Sequence, residues 1–231
     1  MNVAIVVAAG SGTRLSGNRP KQFLELGGVP IIIHALRQFE RCHAINEIVT
    51  VLPAEETAGF LSQAKEFGLQ KLSRVVAGGE TRAQSVQRGL AVISEAEIVA
   101  VHDGVRPFVT PAEIELVVEA AKASGAAVLV APVADTIKEV EGERIIRTVP
   151  RNQLRRALTP QCFRLDVLRL AYEALDELEA AGVEITDESF LVERLGVEIL
   201  TVEGSTRNIK ITREEDLVLA EAILKSVVRG Q

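Results

Sequence analysis

Met1-Asn2-Val3-Ala4-Ile5-Val6-Val7-Ala8-Ala9-Gly10-Ser11-Gly12-Thr13-Arg14-Leu15 decides how the rest of the chain is read. An apolar, β-branched run that ends in small residues and glycines describes a buried strand entering a tight turn. The run is short, lacks a basic flank and passes directly into glycines, so it reads as a first strand and not as a secretory leader. In an open parallel sheet, ligands bind beyond the carboxyl ends of the strands. Glycines there let backbone N–H groups approach phosphate oxygens. Arg14 adds a forked donor, and Lys21 adds a compact positive charge shortly afterwards. Ala8, Ala9, Gly10 and Gly12 thus form a candidate turn for a nucleoside triphosphate. Two better-known phosphate motifs are excluded. No Lys-Ser or Lys-Thr follows a suitable glycine, as a Walker A loop requires, and Leu15 stands where the dinucleotide fingerprint needs its third glycine.

Outward from this turn, apolar runs alternate with amphipathic ones. Strands are predicted over 3–8, 47–52, 71–76, 98–102, 126–132 and 197–202, and helices over 31–41, 54–67, 81–93, 111–123, 165–181 and 213–228. Thr110-Pro111 with Glu113, and Thr212 with Glu215, supply helix starts. The order predicts an α/β, Rossmann-like fold: a mostly parallel sheet with helices on both faces. Residues 135–149 break the alternation and read as two strands around Glu141-Gly142-Glu143. A lone hairpin is marginal in water, so this arm, at about 134–151, is expected to project from the sheet and to be steadied by another subunit. No repeat, linker or low-complexity segment interrupts the chain, which predicts a single domain over 1–231.

Composition narrows the classes. At 231 residues, with 47% hydrophobic and 25% charged, the chain can build a full core. Aromatics make up 3% and Trp is absent, so aliphatic side chains must fill that core. The net charge of -6 argues against a nucleic-acid footprint. Local Lys and Arg can still make a positive pocket for an anionic substrate. No apolar run reaches the roughly 18 residues of a membrane span. Cys42 and Cys162 lie far apart, outside any CxxC or Cys/His cluster, and read as buried, reduced thiols. These features point to the cytoplasm.

A second constellation sits at 99–108, where Asp103 follows a strand and Arg106 comes three residues later. An Asp there can help place Mg²⁺, which prefers one or two carboxylates with phosphate oxygens. Arg106 can hold a phosphate or fix Asp103 through a salt bridge, and the pair can also serve only to organise a loop. His102, as the last strand residue, reads as a packed core histidine. The run Glu173, Asp176, Glu177 and Glu179 reads as a solvated helix face.

Taken together, residues 8–15 with Pro20-Lys21-Gln22 resemble the signature of the sugar-nucleotide-type nucleotidyltransferases. The segments at 78–86, 102–107, 158–161, 186–188 and 208–212 extend the resemblance, in order along the chain, to the 2-C-methyl-D-erythritol 4-phosphate cytidylyltransferases of the non-mevalonate isoprenoid pathway. The resemblance implies CTP, a small alditol phosphate, Mg²⁺ and a homodimer joined through its arms. It places Arg14, Lys21 and Lys210 among the catalytic cations, Lys210 near the α-phosphate. It places Gly79 and Ser85 at the cytosine ring, and Asp103 and Arg106 near the acceptor or the metal. It places Thr136, Arg151 and Thr159 at the acceptor phosphate, with Thr186 completing the set. Gly104-Val105 and Ser189-Phe190 depart from the family's pattern, and Phe190 is expected to narrow the acceptor pocket. Transfer to another alditol phosphate, such as ribitol 5-phosphate, and a non-catalytic nucleotide-binding module are the alternatives.

Overall fold

The computed structural model describes residues 1–10 and 20–229, so the expected roles of Gly12 and Arg14 lie outside the described residues. The strands are β1 (Asn2–Val7), β2 (Glu25–Leu26), β3 (Val29–Pro30), β4 (Glu47–Leu52), β5 (Leu72–Ala77), β6 (Ile98–Asp103), β7 (Ala126–Pro132), β8 (Ile137–Glu141), β9 (Arg144–Val149), β10 (Arg155–Arg164) and β11 (Leu200–Glu203). The helices are α1 (Ile31–Arg41), α2 (Phe60–Glu66), α3 (Arg82–Ala91), α4 (Pro111–Ser124), α5 (Leu165–Tyr172), α6 (Leu175–Ala180), α7 (Glu188–Glu193) and α8 (Glu214–Arg229).

A seven-stranded sheet runs β11-β7-β10-β6-β1-β4-β5 and is parallel except for β10. The chain goes outward from β1 through β4 to β5, then returns to place β6 on the other side of β1. Such a reversal opens a crevice beyond the carboxyl ends of the flanking strands, where α/β sheets bind ligands. All of β1 is buried. Ala4 and Val6 face the core under α1, α2 and α4, whereas Val3, Ile5 and Val7 face the core under α3, α5, α6 and α7. The period of two with both faces covered is the signature of a central parallel strand.

Helix α4 begins with the predicted capping box, in which Thr110 and Glu113 satisfy each other's backbone N–H. Gly59, at φ 79, ends the predicted helix over 54–67 early, so a short 3₁₀ turn at Ala54–Glu56 precedes α2. The predicted helix over 165–181 is likewise two helices, α5 and α6. Strand β10 was not legible as a strand because Pro160 interrupts it, and proline removes a ladder hydrogen bond. The fold accommodates it with a bulge: the β7 register shifts between Ala157 and Gln161.

The arm forms as predicted, with β8 and β9 pairing antiparallel in a two-stranded sheet of their own. Gly142 takes φ 57 at the first loop position, as a type II′ hairpin turn requires.

Candidate active site

The crevice holds a cavity of about 410 Å³. Ala8, Ala9 and Gly10 form its floor at the end of β1, Lys21 enters from the 3₁₀ turn Lys21–Phe23, and Lys210 comes from the segment before α8. Gly79 and Ser85 line the side made by the start of α3, and Asp103 caps β6. Eight predicted residues, from five separated stretches of chain, therefore line the described cavity.

Small residues make this convergence possible. A Cβ on Gly78 would lie 2.2 Å from the Ala9 Cβ, and one on Gly104 would lie 2.9 Å from the Ala8 Cβ. Both are closer than real Cβ contacts allow, so glycines on either side let the end of β1 pack between its neighbours. That gives Gly104 a steric reason in this chain.

Gln22 completes the turn. Its buried amide Nε2 donates to the Ala8 carbonyl at 2.6 Å and the Gly10 carbonyl at 3.2 Å, while the Ala8 N–H donates to the Val51 carbonyl at 2.8 Å.

Asp103 is the electrostatic centre. Arg82 Nε lies 3.0 Å from its Oδ1, while Arg106 Nε and Lys210 Nζ lie 3.3 and 3.0 Å from its Oδ2. Although burial alone would raise its pKa, Arg82, Lys210 and Arg106 hold the carboxyl well below the usual range. Arg82 also makes a paired contact with the fully buried Glu188, at 2.6 and 3.1 Å, and Tyr172 donates its hydroxyl to the same carboxylate at 3.2 Å. Burial opposes the charge on Arg82, but Glu188 and Asp103 outweigh it and raise its pKa, so the guanidinium stays charged.

Beneath Asp103, the bulge of β10 brings in Thr159. Its Oγ1 accepts from the Asp103 N–H at 3.1 Å and lies 2.9 Å from His102 Nδ1, while His102 Nε2 lies 3.0 Å from the Arg106 carbonyl. His102 is fully buried, as predicted, and burial, its largest influence, lowers its pKa to about 4. The imidazole is therefore neutral at pH 7.

Arg106 does not line the cavity: its NH1 donates to the Asn208 carbonyl at 2.9 Å and its Nε meets Asp103, fixing the segment that carries Lys210. Thr136 and Arg151 stand exposed at the root of the arm, Arg151 donating to the Ala134 carbonyl. Thr186 is exposed ahead of α7. None of the three lines the described cavity. Phe190 was expected to narrow the acceptor pocket, but it packs against the core under α5 and is absent from the cavity wall. In the acidic run, Glu173, Asp176 and Glu177 are exposed as expected, but Glu179 accepts from Thr81 and Gln84, each at 2.7 Å, and anchors the start of α3. Arg82, Glu188 and Gln22 carry parts of the site that the sequence reading gave no role. Nothing in the linear sequence pairs Arg82 with a glutamate 106 residues away.

A family model described as 2-C-methyl-D-erythritol 4-phosphate cytidylyltransferase matches residues 2–226. The chain belongs to this cytidylyltransferase family. Relatives bearing that name in Acidobacterium capsulatum and Bacillus velezensis are each 44% identical, covering 96% and 97% of this chain and 96% of their own length. The crystal structure of the family member from Thermus thermophilus is 37% identical, with a TM-score of 0.78 over 97% of this chain and all of that one. A 4-diphosphocytidyl-2C-methyl-D-erythritol synthase from Anaerococcus prevotii superposes with a TM-score of 0.84 at 28% identity, covering 97% of this chain and 96% of that one. The cytidylyltransferase family's α/β architecture is thus this chain's architecture.

Proposed function

We propose that the protein transfers the cytidylyl group of CTP to 2-C-methyl-D-erythritol 4-phosphate and releases pyrophosphate. Beyond family membership, the observation that carries this reading is the convergence of Lys21, Lys210 and Arg82 with Asp103 around one cavity at the carboxyl edge of the sheet. Together with Arg14, these cations suit a substrate whose charge must be held while its α-phosphorus is attacked. The acceptor's phosphate monoester has its second pKa near ~6, so it is largely dianionic at pH 7 and needs no general base. In-line attack by a phosphate oxygen forms the new P–O bond as pyrophosphate leaves.

The protein's contribution is positioning and charge stabilisation. Lys21, with Arg14, holds the triphosphate, and Lys210 lies ready for the α-phosphoryl oxygens. Ala8, Ala9, Gly10 and Gly12 let the triphosphate approach the backbone closely, while Gly79 and Ser85 meet the cytosine ring. Asp103 and Arg106 border the acceptor side, with Thr186 beside it.

A divalent ion fits the donor set in one way. Asp103 and Glu80 are the carboxylates that line the cavity, Asp103 being the one at the end of β6, and no cluster of three or more His, Cys, Asp or Glu is present among the described residues. Mg²⁺ accepts one carboxylate when substrate phosphates complete its shell. Asp103 would hold it together with the triphosphate, where its charge would offset that of the phosphates.

Val140, Ile145 and Ile146 on the arm are 58%, 64% and 55% exposed, which supports a homodimer in which each arm covers its apolar face on the other subunit and brings Thr136 and Arg151 to the neighbouring acceptor. The chain acts as one domain in the cytoplasm; among the described residues no helix is long and apolar enough to cross a membrane.

The test is pyrophosphate release from CTP and Mg²⁺ with methylerythritol phosphate or ribitol 5-phosphate supplied separately. Release with the first alone is expected. Release with the second alone would move the acceptor, and CTP binding without release from either would leave a non-catalytic nucleotide-binding module.

A further inference from the structure

The cavity accounts for the charged groups around Asp103 but not for the neutral network beneath it. A carbonyl oxygen only accepts, so the 3.0 Å contact between His102 Nε2 and the Arg106 carbonyl requires the proton on Nε2. In a neutral ring Nδ1 then carries the lone pair. Thr159 must donate its hydroxyl proton to Nδ1 at 2.9 Å, and its oxygen accepts the Asp103 N–H at 3.1 Å.

Every donor has one direction. The chain runs from Asp103 N–H through the Thr159 hydroxyl to His102, and from His102 Nε2–H to the Arg106 carbonyl. The Arg106 N–H donates back to the Asp103 carbonyl at 2.9 Å and closes the loop. Asn208 Nδ2 donates to the Thr159 carbonyl at 2.9 Å, tying in the segment that leads to Lys210. Phe39 packs on the His102 ring with centroids 4.9 Å apart, which leaves the imidazole little freedom to turn.

We propose that His102 and Thr159 are positioning residues for nucleotidyl transfer, locking the turn from Asp103 to Arg106 so that the Asp103 carboxylate holds Arg82, Arg106 and Lys210 in register. On this assignment Thr159 acts through Asp103, because its only hydroxyl proton is already directed at His102 and its side chain is buried beneath the cavity wall. This differs from a direct contact with the acceptor phosphate, and it rests on the transfer reaction proposed above.

The experiment pairs kinetics with histidine ¹⁵N NMR on the full-length protein. Thr159→Val keeps the side chain's shape without its hydroxyl, and Thr159→Ser keeps the hydroxyl. With CTP and methylerythritol phosphate, Thr159→Val is expected to lower kcat about tenfold or more while each KM stays within about threefold, and Thr159→Ser to recover most of the rate. In the wild type, His102 should show a pyridine-type Nδ1 and a pyrrole-type Nε2, with the Nδ1 signal moving in Thr159→Val but not in Thr159→Ser. A rise of about tenfold or more in the acceptor's KM at unchanged kcat would make Thr159 a phosphate contact and overturn the assignment. So would a proton on Nδ1 in the wild type, a measurement that stands even if a variant fails to fold. Wild-type inactivity with methylerythritol phosphate would instead defeat the functional reading and leave the tautomer result untouched.

Discussion

The carboxyl edge of the sheet and the β8–β9 arm are both polar, yet they are built in opposite ways. At the edge, a buried carboxylate gathers the cations: Asp103 meets Arg82, Arg106 and Lys210, and Arg82 meets the buried Glu188. On the arm, the Arg147–Glu139 pair is open to water and the apolar side chains face outward. Low dielectric and several partners make the first set rigid within one chain. Solvent screening leaves the second worth little by itself. The charges of the first region find their partners within one chain, whereas the second leaves apolar side chains exposed.

The largest effect expected from this contrast is at Arg82. Arg82→Ala strands the carboxylate of Glu188 inside the core, and should cost about 3–5 kcal/mol in urea unfolding. Arg147→Ala on the arm should cost about 0.5 kcal/mol or less. Equal losses would erase the distinction between the two regions.

Next comes Lys21→Ala, expected to lower kcat by about 10²–10³-fold with the acceptor's KM nearly unchanged. A rise in KM alone would make Lys21 a ground-state binder.

The buried network also predicts a pH dependence. His102 has an ordinary pKa of 6.5 and a folded value of about 4, set mainly by burial. Between those values the unfolded chain binds a proton that the folded chain does not. The stability it contributes is therefore full above about pH 6.5 and lost as pH falls toward about 4, amounting to about 3 kcal/mol. Denaturant midpoints across this window should fall with pH in the wild type, with a shallower slope in His102→Gln. Parallel slopes would show that His102 is not the group responsible.

The smallest effect on folding should come from Ile145→Ser, within about 0.5 kcal/mol for the isolated chain, while the dimer dissociation constant rises about tenfold or more by sedimentation. An unchanged dissociation constant would remove the arm from the interface and with it the proposed reach of Arg151 into a neighbouring site.

Much of this was legible in the linear chain, and for local reasons. The periodicity of β1, the Thr110–Glu113 capping box and the Gly142 hairpin depend on residues within a few positions of one another, and each formed as read. The glycine-rich turn and Asp103 were legible as candidates because each ends or follows a strand, whereas Lys210 was legible only through the family resemblance. Strand β10 was not, since its proline is tolerated only through a bulge against β7, a property of the pairing and not of the strand. Nor were the Arg82–Glu188 pair, the Thr159–His102 contact and the grip of Gln22 on Ala8. The first two join residues 106 and 57 positions apart; in the third only 14 positions separate the partners, but a side chain must fold back onto a strand end. The sequence by itself determined the parallel α/β class and the arm, because period and turn chemistry act over short range. The tertiary structure alone decided which charges neutralise which and where His102 keeps its proton, because burial and long-range pairing arise only once the sheet has brought distant strand ends together.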